Sequence, residues 1–336
     1  MNYRVVKKAN PINKIFKKFP LKEDISGEII NNRIEIQKIL SGEDNRLLFI
    51  VGPCSAWPKE SVLKYAEKLF HLSEKIKDSI KIVMRAYIQK PRTNVGWLGP
   101  AIQPDPYSAP DIQQGMEYCR DMMLSIVKLG LPIASEILFT NNSSYFLDLL
   151  SWACIGARSS EDQEHRIFAS AVDCAVGVKN PTHGSLEVAI NSILAVQHGH
   201  PTILDGYEIV TKGNSYAHIV LRGANKQQNC SLTHLKEIDY YFQLHKINNP
   251  AVLIDASHDN CVINGKKDCA LQASIVNQVM DDIDHHPHLK KLVKGFMIES
   301  FIQEGNQDIK QKNRDNIDLN GLSITCLLYT SPSPRD

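Results

Sequence analysis

The sequence predicts an α/β protein built as a (β/α)8 (TIM) barrel, because eight short apolar segments alternate with amphipathic helical segments. Each apolar segment is nearly continuous, which is typical of parallel strands that are covered on both faces. The segment at 59–76 is typical of the helices, with Val62, Tyr65, Leu69 and Leu72 on one stripe. The predicted strands lie at 47–52, 81–86, 132–137, 154–159, 175–180, 218–223, 251–257 and 295–300.

The length of the chain agrees with one barrel and added segments. A minimal barrel needs about 250 residues, and this chain has 336. We assign the surplus to an N-terminal arm at 1–45, a long connection at 87–131 and an inserted β-hairpin, which begins near Gly206 and leads into strand six. A doubly wound open sheet is the alternative, but no Gly-x-Gly-x-x-Gly motif follows a predicted strand, which disfavours a dinucleotide-binding sheet.

Composition argues against several classes of protein. The 38 Lys and Arg residues nearly balance the 37 Asp and Glu residues, whereas a nucleic-acid-binding protein is usually clearly basic. No apolar run approaches the roughly 20 residues of a membrane span, and the basic N-terminal segment lacks the apolar core of a signal peptide. The eight cysteines are scattered. We therefore expect reduced thiols and a cytoplasmic protein with no membrane or nucleic-acid partner.

Every predicted strand ends in a polar or reactive side chain. In a (β/α)8 barrel these ends meet at one mouth, where active sites lie. A charge at one strand end would mark only the exit to solvent, but polar residues at all eight ends predict a shared site. In chain order they are Cys54, Arg85, Glu136, Arg158, Lys179, Arg222, Asp255 with His258, and Glu299.

Cations predominate among the residues predicted at this mouth. Arginine binds the planar oxygens of carboxylates and phosphates in a bidentate manner, and so many cations tolerate one another only where anions enter. The substrates are therefore expected to carry phosphates and a carboxylate. The cations come from four strand ends and from the loop after strand two: Arg85, Arg158, Lys179, Arg222, Lys90 and Arg92.

A second group at the mouth has the residue types of a metal site. Cys54, His258 and Glu299 come from strands one, seven and eight and their ends, and strands eight and one are neighbours in a closed barrel. Thiolate, imidazole and carboxylate together could hold a divalent transition metal, and this mixed set does not select among Mn, Fe, Co and Zn. Taken singly, a residue such as Cys54 is more often a small buried residue than a ligand, and His258 is more often a hydrogen-bonded loop residue.

The strand ends lie within eight short motifs: GPCSAWP (52–58), MRAYIQKPRTNVGW (84–97), ASE (134–136), IGARSSEDQEHR (155–166), GVKNPTHG (177–184), LRG (221–223), IDASHDN (254–260) and MIESFIQEGNQ (297–307). Together they resemble the class I 3-deoxy-D-arabino-heptulosonate-7-phosphate (DAHP) synthases of the feedback-regulated, enterobacterial type. The resemblance extends from about residue 10 to 325 in the order of the family. The Lys-Pro-Arg-Thr segment separates the chain from octulosonate-phosphate synthases, which carry a different loop there.

The resemblance implies a transferase, 3-deoxy-7-phosphoheptulonate synthase. It would condense phosphoenolpyruvate with D-erythrose 4-phosphate and water to DAHP and phosphate, the first step of the shikimate pathway to aromatic amino acids. Arg85 and Lys179 would hold the carboxylate of phosphoenolpyruvate. Arg158 and Arg222 would hold its phosphate, assisted by the backbone of Ala157.

The resemblance also assigns residues to catalysis and to the second substrate. Glu136 would contact the phosphate through water, and Lys90 would lie between the two substrates. Arg92 and Thr93 would bind the phosphate of erythrose 4-phosphate. His165 matches a histidine that lines the site, although a lone histidine could equally be structural. The residues assigned to catalysis are thus Lys90, Glu136 and His165.

The metal ligands that the resemblance implies are present except at the last position. Cys54, His258 and Glu299 match three ligands, whereas Cys326 stands where the family has an aspartate. Two smaller departures, Asp259 and Phe301, lie beside the ligands. The metal itself, one of Mn, Fe, Co or Zn, would act as a Lewis acid on the aldehyde oxygen.

The C-terminal segment departs most from the family. At 326–336 the chain contains Ser-Pro-Ser-Pro, which cannot continue a helix, and this segment resembles a translated adapter. We therefore predict a catalytic barrel at 46–325 and a non-native tail at 326–336 in place of the last helix, with poor turnover of the chain as written.

Other readings stay open on the sequence alone. The chain could be a non-catalytic member of the family that binds a phosphosugar or an effector, or a related synthase that uses phosphoenolpyruvate and another sugar phosphate. The resemblance further implies a homo-oligomer, a dimer or tetramer formed through the arm and the hairpin. It also implies an aromatic amino acid as inhibitor, whose identity the sequence does not specify.

Overall fold

Eight parallel strands close into a barrel in the computed structural model of the chain, which describes residues 1–92, 95–204, 206–326 and, by their backbone, 329–330. Each barrel strand pairs in parallel with the next, and the last pairs with the first from Gly295 opposite Leu48 to Glu299 opposite Gly52. The predicted (β/α)8 architecture is therefore confirmed.

The strands within the described residues comprise the barrel and several short additions. The barrel consists of β1–β5, β8, β9 and β12, and β13 pairs with the end of β12. Their bounds are β1 Leu47–Gly52, β2 Ile80–Arg85, β3 Ile133–Glu136, β4 Leu150–Ile155, β5 Ala175–Lys179, β6 Pro201–Leu204, β7 Tyr207–Val210, β8 His218–Leu221, β9 Val252–Asp255, β10 Val262–Ile263, β11 Lys266–Lys267, β12 Val293–Phe301 and β13 Tyr329–Thr330.

Helices fill the connections between the barrel strands. Several begin at a side chain that caps the free backbone N–H groups: Asp111 accepts from Gln114 N, and Ser185 accepts from Val188 N. The helices are α1 Ile12–Lys18, α2 Glu23–Ser41, α3 Lys59–Ile76, α4 Ile112–Lys128, α5 Thr140–Ser143, α6 Gln163–Ala169, α7 Leu186–Gln197, α8 Leu232–Leu244, α9 Leu271–Asp284 and α10 Pro287–Leu292, with single 3₁₀ turns at Leu147–Leu149, His258–Cys261 and Arg314–Asn316.

The apolar core has two layers, and α2 belongs to the inner one. Side chains inside the barrel, such as Leu48 and Trp152, cluster with Ile36, Ile39 and Leu40 of α2. The larger outer cluster lies between the strands and their covering helices. Helix α2, which lies within the predicted arm, therefore packs on the barrel interior, at the end opposite the strand tips.

The predicted bounds of the fourth strand are wrong. The strand runs over Leu150–Ile155 and not over 154–159. All six of its residues are buried, including Ser151 and Trp152. The prediction placed the strand later in the chain because Ser151 and Trp152 interrupt the run of aliphatic residues. As a result, Arg158 lies in the turn that follows the strand and not at its last residue.

The predicted hairpin is present but starts earlier in the chain. Strands β6 and β7 pair antiparallel, with Pro201 opposite Val210 and Leu204 opposite Tyr207. A loop then leads into β8, the sixth barrel strand. The hairpin exposes three large apolar side chains, Ile203, Tyr207 and Val210, each more than 70% exposed.

No helix among the described residues is both long enough and apolar enough to span a bilayer.

A buried histidine of β8 should make the stability of the barrel depend on pH. Trp152 Nε1 can only donate, so at 3.2 Å it fixes His218 Nε2 as an acceptor, and His218 Nδ1 donates to Tyr216 O at 2.8 Å. Burial lowers the pKa of His218 to about 4. Between about pH 6.5 and pH 4 the unfolded chain therefore binds a proton that the folded chain excludes, and stability falls as the pH falls.

We expect His218 to reduce the free energy of unfolding by about 2 kcal/mol at pH 5 relative to pH 7. Urea unfolding at the two pH values measures this difference. In His218→Gln, which keeps an acceptor for Trp152 but does not titrate, the difference should be smaller by about that amount. An equal pH effect in both proteins would contradict the assignment.

Candidate active site

A cavity of about 260 Å³ opens where the barrel strands end. It brings together residues that are far apart in the chain, as the strand-end argument predicts. Thr93 falls outside the described residues. The predicted residues that line the cavity are Cys54, Arg85, Lys90, Arg92, Glu136, Ala157, Arg158, Lys179, Arg222, His258, Glu299 and Cys326.

His165 lies on α6, and the described lining of the cavity does not include it. Its Nδ1 contacts the carboxylate of Asp162, the N-cap of the helix, and its Nε2 lies 2.8 Å from Leu138 O. The first contact lies within the start of α6, and the second joins α6 to the loop after β3. The geometry therefore gives His165 a role in holding the loop after Arg158, and its assignment to catalysis stays a prediction.

Arg85 is a buried cation on the floor of the cavity. Its Nη2 donates to Glu299 Oε1 at 2.9 Å, and its guanidinium stacks on the ring of Tyr87 with 4.1 Å to the centroid. Its Nη1 is buried and has no hydrogen-bond partner among the described residues. Because a buried guanidinium N–H without an acceptor is costly, Nη1 marks a place where an anionic ligand can bind.

Glu299 lies at the centre of a buried charge cluster. Its Oε2 accepts from Lys267 at 3.1 Å and from Ser257 Oγ at 3.0 Å, while Oε1 accepts from Arg85. Burial alone would raise the pKa of Glu299, but Lys267, His258 and Arg85 lower it well below the usual range. Glu299 is therefore a permanent carboxylate and can balance cations or bind a metal.

A second buried pair joins β5 to β9. Lys179 Nζ donates to Asp255 Oδ2 at 2.9 Å, and His258 Nδ1 lies 2.8 Å from the same oxygen. Burial would raise the pKa of Asp255, but His258 and Lys179 outweigh it and lower that pKa. With Nδ1 towards Asp255, the His258 ring turns Nε2 towards Glu299 Oε1, 3.7 Å away.

Lys90 is buried beside the first strand end. Its Nζ donates to the carbonyl of Cys54 at 2.5 Å and contacts Cys54 Sγ at 3.1 Å. Burial lowers the pKa of Lys90 to about 8, because the charged form loses its hydration. Lys90 is therefore close to the pH at which an amine can both donate and accept a proton.

Two cations face each other at the rim. Arg92 Nε donates to Trp97 O at 2.7 Å, which aims the guanidinium into the cavity. Burial and then the charge of Arg158 lower the pKa of Arg92. Two arginines close enough to repel form an attractive site for a phosphate, which would relieve the repulsion.

Glycine at 156 lets Glu136 reach the cavity wall. A Cβ atom at Gly156 would overlap Glu136 Oε1, so any other residue there would displace the carboxylate. The turn of residues 156–159 thus places Glu136 and Arg158 on the same side of the cavity. This agrees with the predicted contact of both residues with one phosphate.

The donor set of the predicted metal site is only partly assembled. Ligand atoms of Cys54, Glu299 and Cys326 lie within 4.8 Å of one another. The sulfur atoms of Cys54 and Cys326 lie in contact, with their Cα atoms 6.1 Å apart, so oxidation can join them in a disulfide. The expectation of reduced cysteines therefore stays a prediction for this pair. A metal fits this site when the pair is reduced, because a thiolate is the ligand form of cysteine.

Sequence reasoning did not assign Tyr87, which lines the cavity, or Lys267, which supports Glu299. Tyr87 lines the cavity and supports Arg85, and burial raises its pKa well above the usual value. Lys267, on the β10–β11 hairpin, reaches Glu299. Tyr87 lies two residues after Arg85, so the alternation of side chains along an extended segment could have indicated it. No local sequence signal identifies Lys267, because an irregular connection after β9 positions it.

Comparison with protein families is consistent with this geometry. Residues 23–329 match the sequence profile of the DAHP synthetase I family. The chain is 37% identical over 321 residues to "Phospho-2-dehydro-3-deoxyheptonate aldolase, Phe-sensitive" of Escherichia coli K12, covering 92% of this chain and 87% of that protein. It is 35% identical over 326 residues to the Trp-sensitive aldolase of Buchnera aphidicola from Schizaphis graminum, covering 94% and 89%.

A solved structure has the same fold over nearly the whole chain. The phospho-2-dehydro-3-deoxyheptonate aldolase of Francisella tularensis SCHU S4 superposes with a TM-score of 0.91 at 32% sequence identity. The match covers 98% of this chain and 94% of that one. A likeness of this extent includes all eight barrel strands and therefore the cavity at their ends.

Proposed function

Since this chain belongs to the DAHP synthetase I family, we propose that it condenses phosphoenolpyruvate with D-erythrose 4-phosphate and water to give DAHP and phosphate. The family predicted from the sequence motifs is confirmed. The observation that carries the proposed site is the buried Arg85 Nη1, which has no hydrogen-bond partner among the described residues and lies at the floor of a cavity lined by further cations.

Phosphoenolpyruvate fits the cavity as an anion with two ends. Arg85 Nη1 and the neighbouring Lys179 would bind its carboxylate. Both cations are buried, and each is held in place by an ion pair with a buried side chain, Glu299 or Asp255. Its phosphate would bind Arg158 and Arg222 with the backbone of Ala157, near Glu136. Arg92, with Thr93, would bind the phosphate of erythrose 4-phosphate.

The residues act mainly by holding two repelling anions in attack geometry, a proximity effect. In the proposed reaction the enol carbon of phosphoenolpyruvate forms a bond to the aldehyde carbon. Lys90, with a pKa of about 8, donates a proton to the aldehyde oxygen as it gains charge. Water then adds to the cationic carbon, and the carbon–oxygen bond to phosphate breaks.

The metal site is proposed at Cys54, His258 and Glu299, with Cys326 beside them. A bound divalent ion, one of Mn, Fe, Co or Zn, supplies Lewis-acid polarisation of the aldehyde oxygen. Asp255 Oδ2 lies 2.8 Å from His258 Nδ1, without the alignment of a hydrogen bond, and would orient the ring electrostatically, as outer carboxylates commonly do for metal-binding histidines. Arg85 and Lys267 fix Glu299, so this chain provides a preformed carboxylate once the cysteines are reduced.

Phosphate release tests the proposed reaction. The reduced protein is supplied with Mn, phosphoenolpyruvate and one aldose phosphate. We expect release with erythrose 4-phosphate and little with arabinose 5-phosphate. Preference for arabinose 5-phosphate would favour an octulosonate-phosphate synthase, and binding of both substrates without release would favour a non-catalytic member.

Regulation and assembly are further proposals. The relatives named above are sensitive to phenylalanine or tryptophan, and we propose that an aromatic amino acid inhibits this chain as well. We also propose a cytoplasmic homo-oligomer, a dimer or tetramer, that uses the arm and the exposed apolar face of the β6–β7 hairpin. Inhibition assays with the three aromatic amino acids and sedimentation velocity test these proposals, and uninhibited activity or a monomer would contradict them.

Replacing Cys326 with aspartate should raise turnover. The proposed barrel at 46–325 leaves Cys326 at the start of the predicted tail, where its sulfur lies in contact with that of Cys54. Cys326→Asp frees the Cys54 thiolate and adds a hard oxygen ligand. We expect Mn-dependent phosphate release to rise most without reductant, and Cys326→Ser controls for loss of the disulfide alone. Equal rates in both variants would show that the carboxylate contributes nothing.

A further inference from the structure

Three carboxylates already balance cations of the cavity, and one of them is far more accessible than the others. Glu299 pairs with Arg85 and Asp255 pairs with Lys179, with carboxylate side chains that are 1% and 0% exposed. Asp259 pairs with Arg222 at 3.0 Å, and its side chain is 25% exposed. The first two pairs are sealed, whereas the Asp259 carboxylate can turn to solvent without losing its hydration.

The backbone holds Asp259 beside Arg222. Asp259 N donates to Arg222 O at 3.1 Å, and Asn260 Nδ2 donates to Leu221 O at 3.1 Å. Gly223, with a φ of +74°, makes this approach possible, because a Cβ there would come within 2.7 Å of Asp259 Cβ. The backbone of the turn after β9 therefore places the negative charge of Asp259 beside Arg222.

Arg222 has anchors besides Asp259. Its backbone N–H donates to Asn180 Oδ1 at 2.9 Å, and its Nη1 also donates to Gly223 O at 3.3 Å. The guanidinium is thus directed into the cavity by neighbours that carry no charge. Asp259 adds a negative charge beside the Arg222 guanidinium, which an incoming phosphate would bind.

We propose that the Asp259 carboxylate competes with the substrate phosphate for the Arg222 guanidinium. The phosphate displaces Asp259 when it binds, and this competition lowers the affinity of the Arg222 subsite for phosphate. This inference deepens the proposed function, on which it rests for the identity of the substrate. A doubly charged phosphate displaces the carboxylate because it carries more charge, and the Asp259 side chain moves to water.

The test is equilibrium binding of inorganic phosphate to the full, reduced chain by isothermal titration calorimetry. We expect Asp259→Ala to lower the dissociation constant by about three- to tenfold, as for removal of a partly exposed competing charge. Asp259→Asn keeps the shape and removes the charge, so it should give a change in the same direction. Glu161→Gln removes one charge from the loop after Arg158. Within the described residues Glu161 pairs with His183, and neither lines the cavity, so this variant should leave the constant unchanged.

The same variants are assayed with phosphoenolpyruvate. The inference predicts a lower KM for phosphoenolpyruvate in both Asp259 variants, with a smaller change in kcat. Unchanged or weaker phosphate binding in Asp259→Asn would overturn it, since Asp259 would then serve to orient Arg222. Failure of the proposed function looks different: the wild-type chain would release no phosphate, while the calorimetric comparison would still decide the role of Asp259.

Discussion

Arg85→Met is expected to lower kcat/KM for phosphoenolpyruvate by about 100- to 1000-fold, as for the loss of one preorganised donor to a developing or bound anion. The substitution removes the buried Nη1 and leaves Glu299 without its 2.9 Å partner. Breaking a buried ion pair on one side should also cost about 3–5 kcal/mol of stability. Steady-state kinetics and urea unfolding of the same preparation measure the two effects.

Arg120 provides a matched control for the loss of stability. It is 1% exposed, pairs with Asp148 and stacks on Phe16 with 4.1 Å to the ring centroid, as Arg85 does with Tyr87. It lies on α4, away from the cavity. Arg120→Met should therefore lose stability, by less than Arg85→Met because Asp148 is 28% exposed, and keep its KM for phosphoenolpyruvate. If Arg85→Met behaves in the same way as this control, Arg85 is not part of the anion site.

Cys54→Ser should abolish metal-dependent turnover and weaken metal binding by about 100-fold or more, because a hydroxyl is a poor ligand where a thiolate is a strong one. Cys54 lies with Glu299 in the one candidate metal cluster within the described residues. Metal content after gel filtration in reductant measures the loss independently of activity.

Cys119→Ser controls for the replacement of a buried thiol. Cys119 is fully buried on α4, and burial raises its pKa well above the usual value, so it stays a thiol. This variant should lose some stability and keep its metal. Full metal content in Cys54→Ser would show that Cys54 is not a metal ligand.

The sequence predicted the cavity well because parallel strands bring their ends together. Arg85, Lys179 and Glu299 are the last or nearly the last residues of their strands, so the barrel topology alone makes them neighbours. Arg158 reached the cavity despite a wrong strand boundary, since the short turn after β4 still opens at the same mouth.

What the sequence did not reveal depends on loops and on distant partners. Lys267 meets Glu299 through the β10–β11 hairpin, whose path no periodicity describes. Cys54 and Cys326 meet although they lie 272 positions apart, and cysteine spacing does not determine pairing. Asp259 was recognised as a departure from the family, but its contact with Arg222 requires the turn that Gly223 accommodates.

The orientation of bound phosphoenolpyruvate tests the central claim most directly. A crystal structure of the reduced chain with phosphoenolpyruvate should show the carboxylate on Arg85 and Lys179 and the phosphate on Arg158 and Arg222, with Asp259 turned away from Arg222. A reversed ligand, with its phosphate on Arg85, or a ligand outside the cavity would contradict the account.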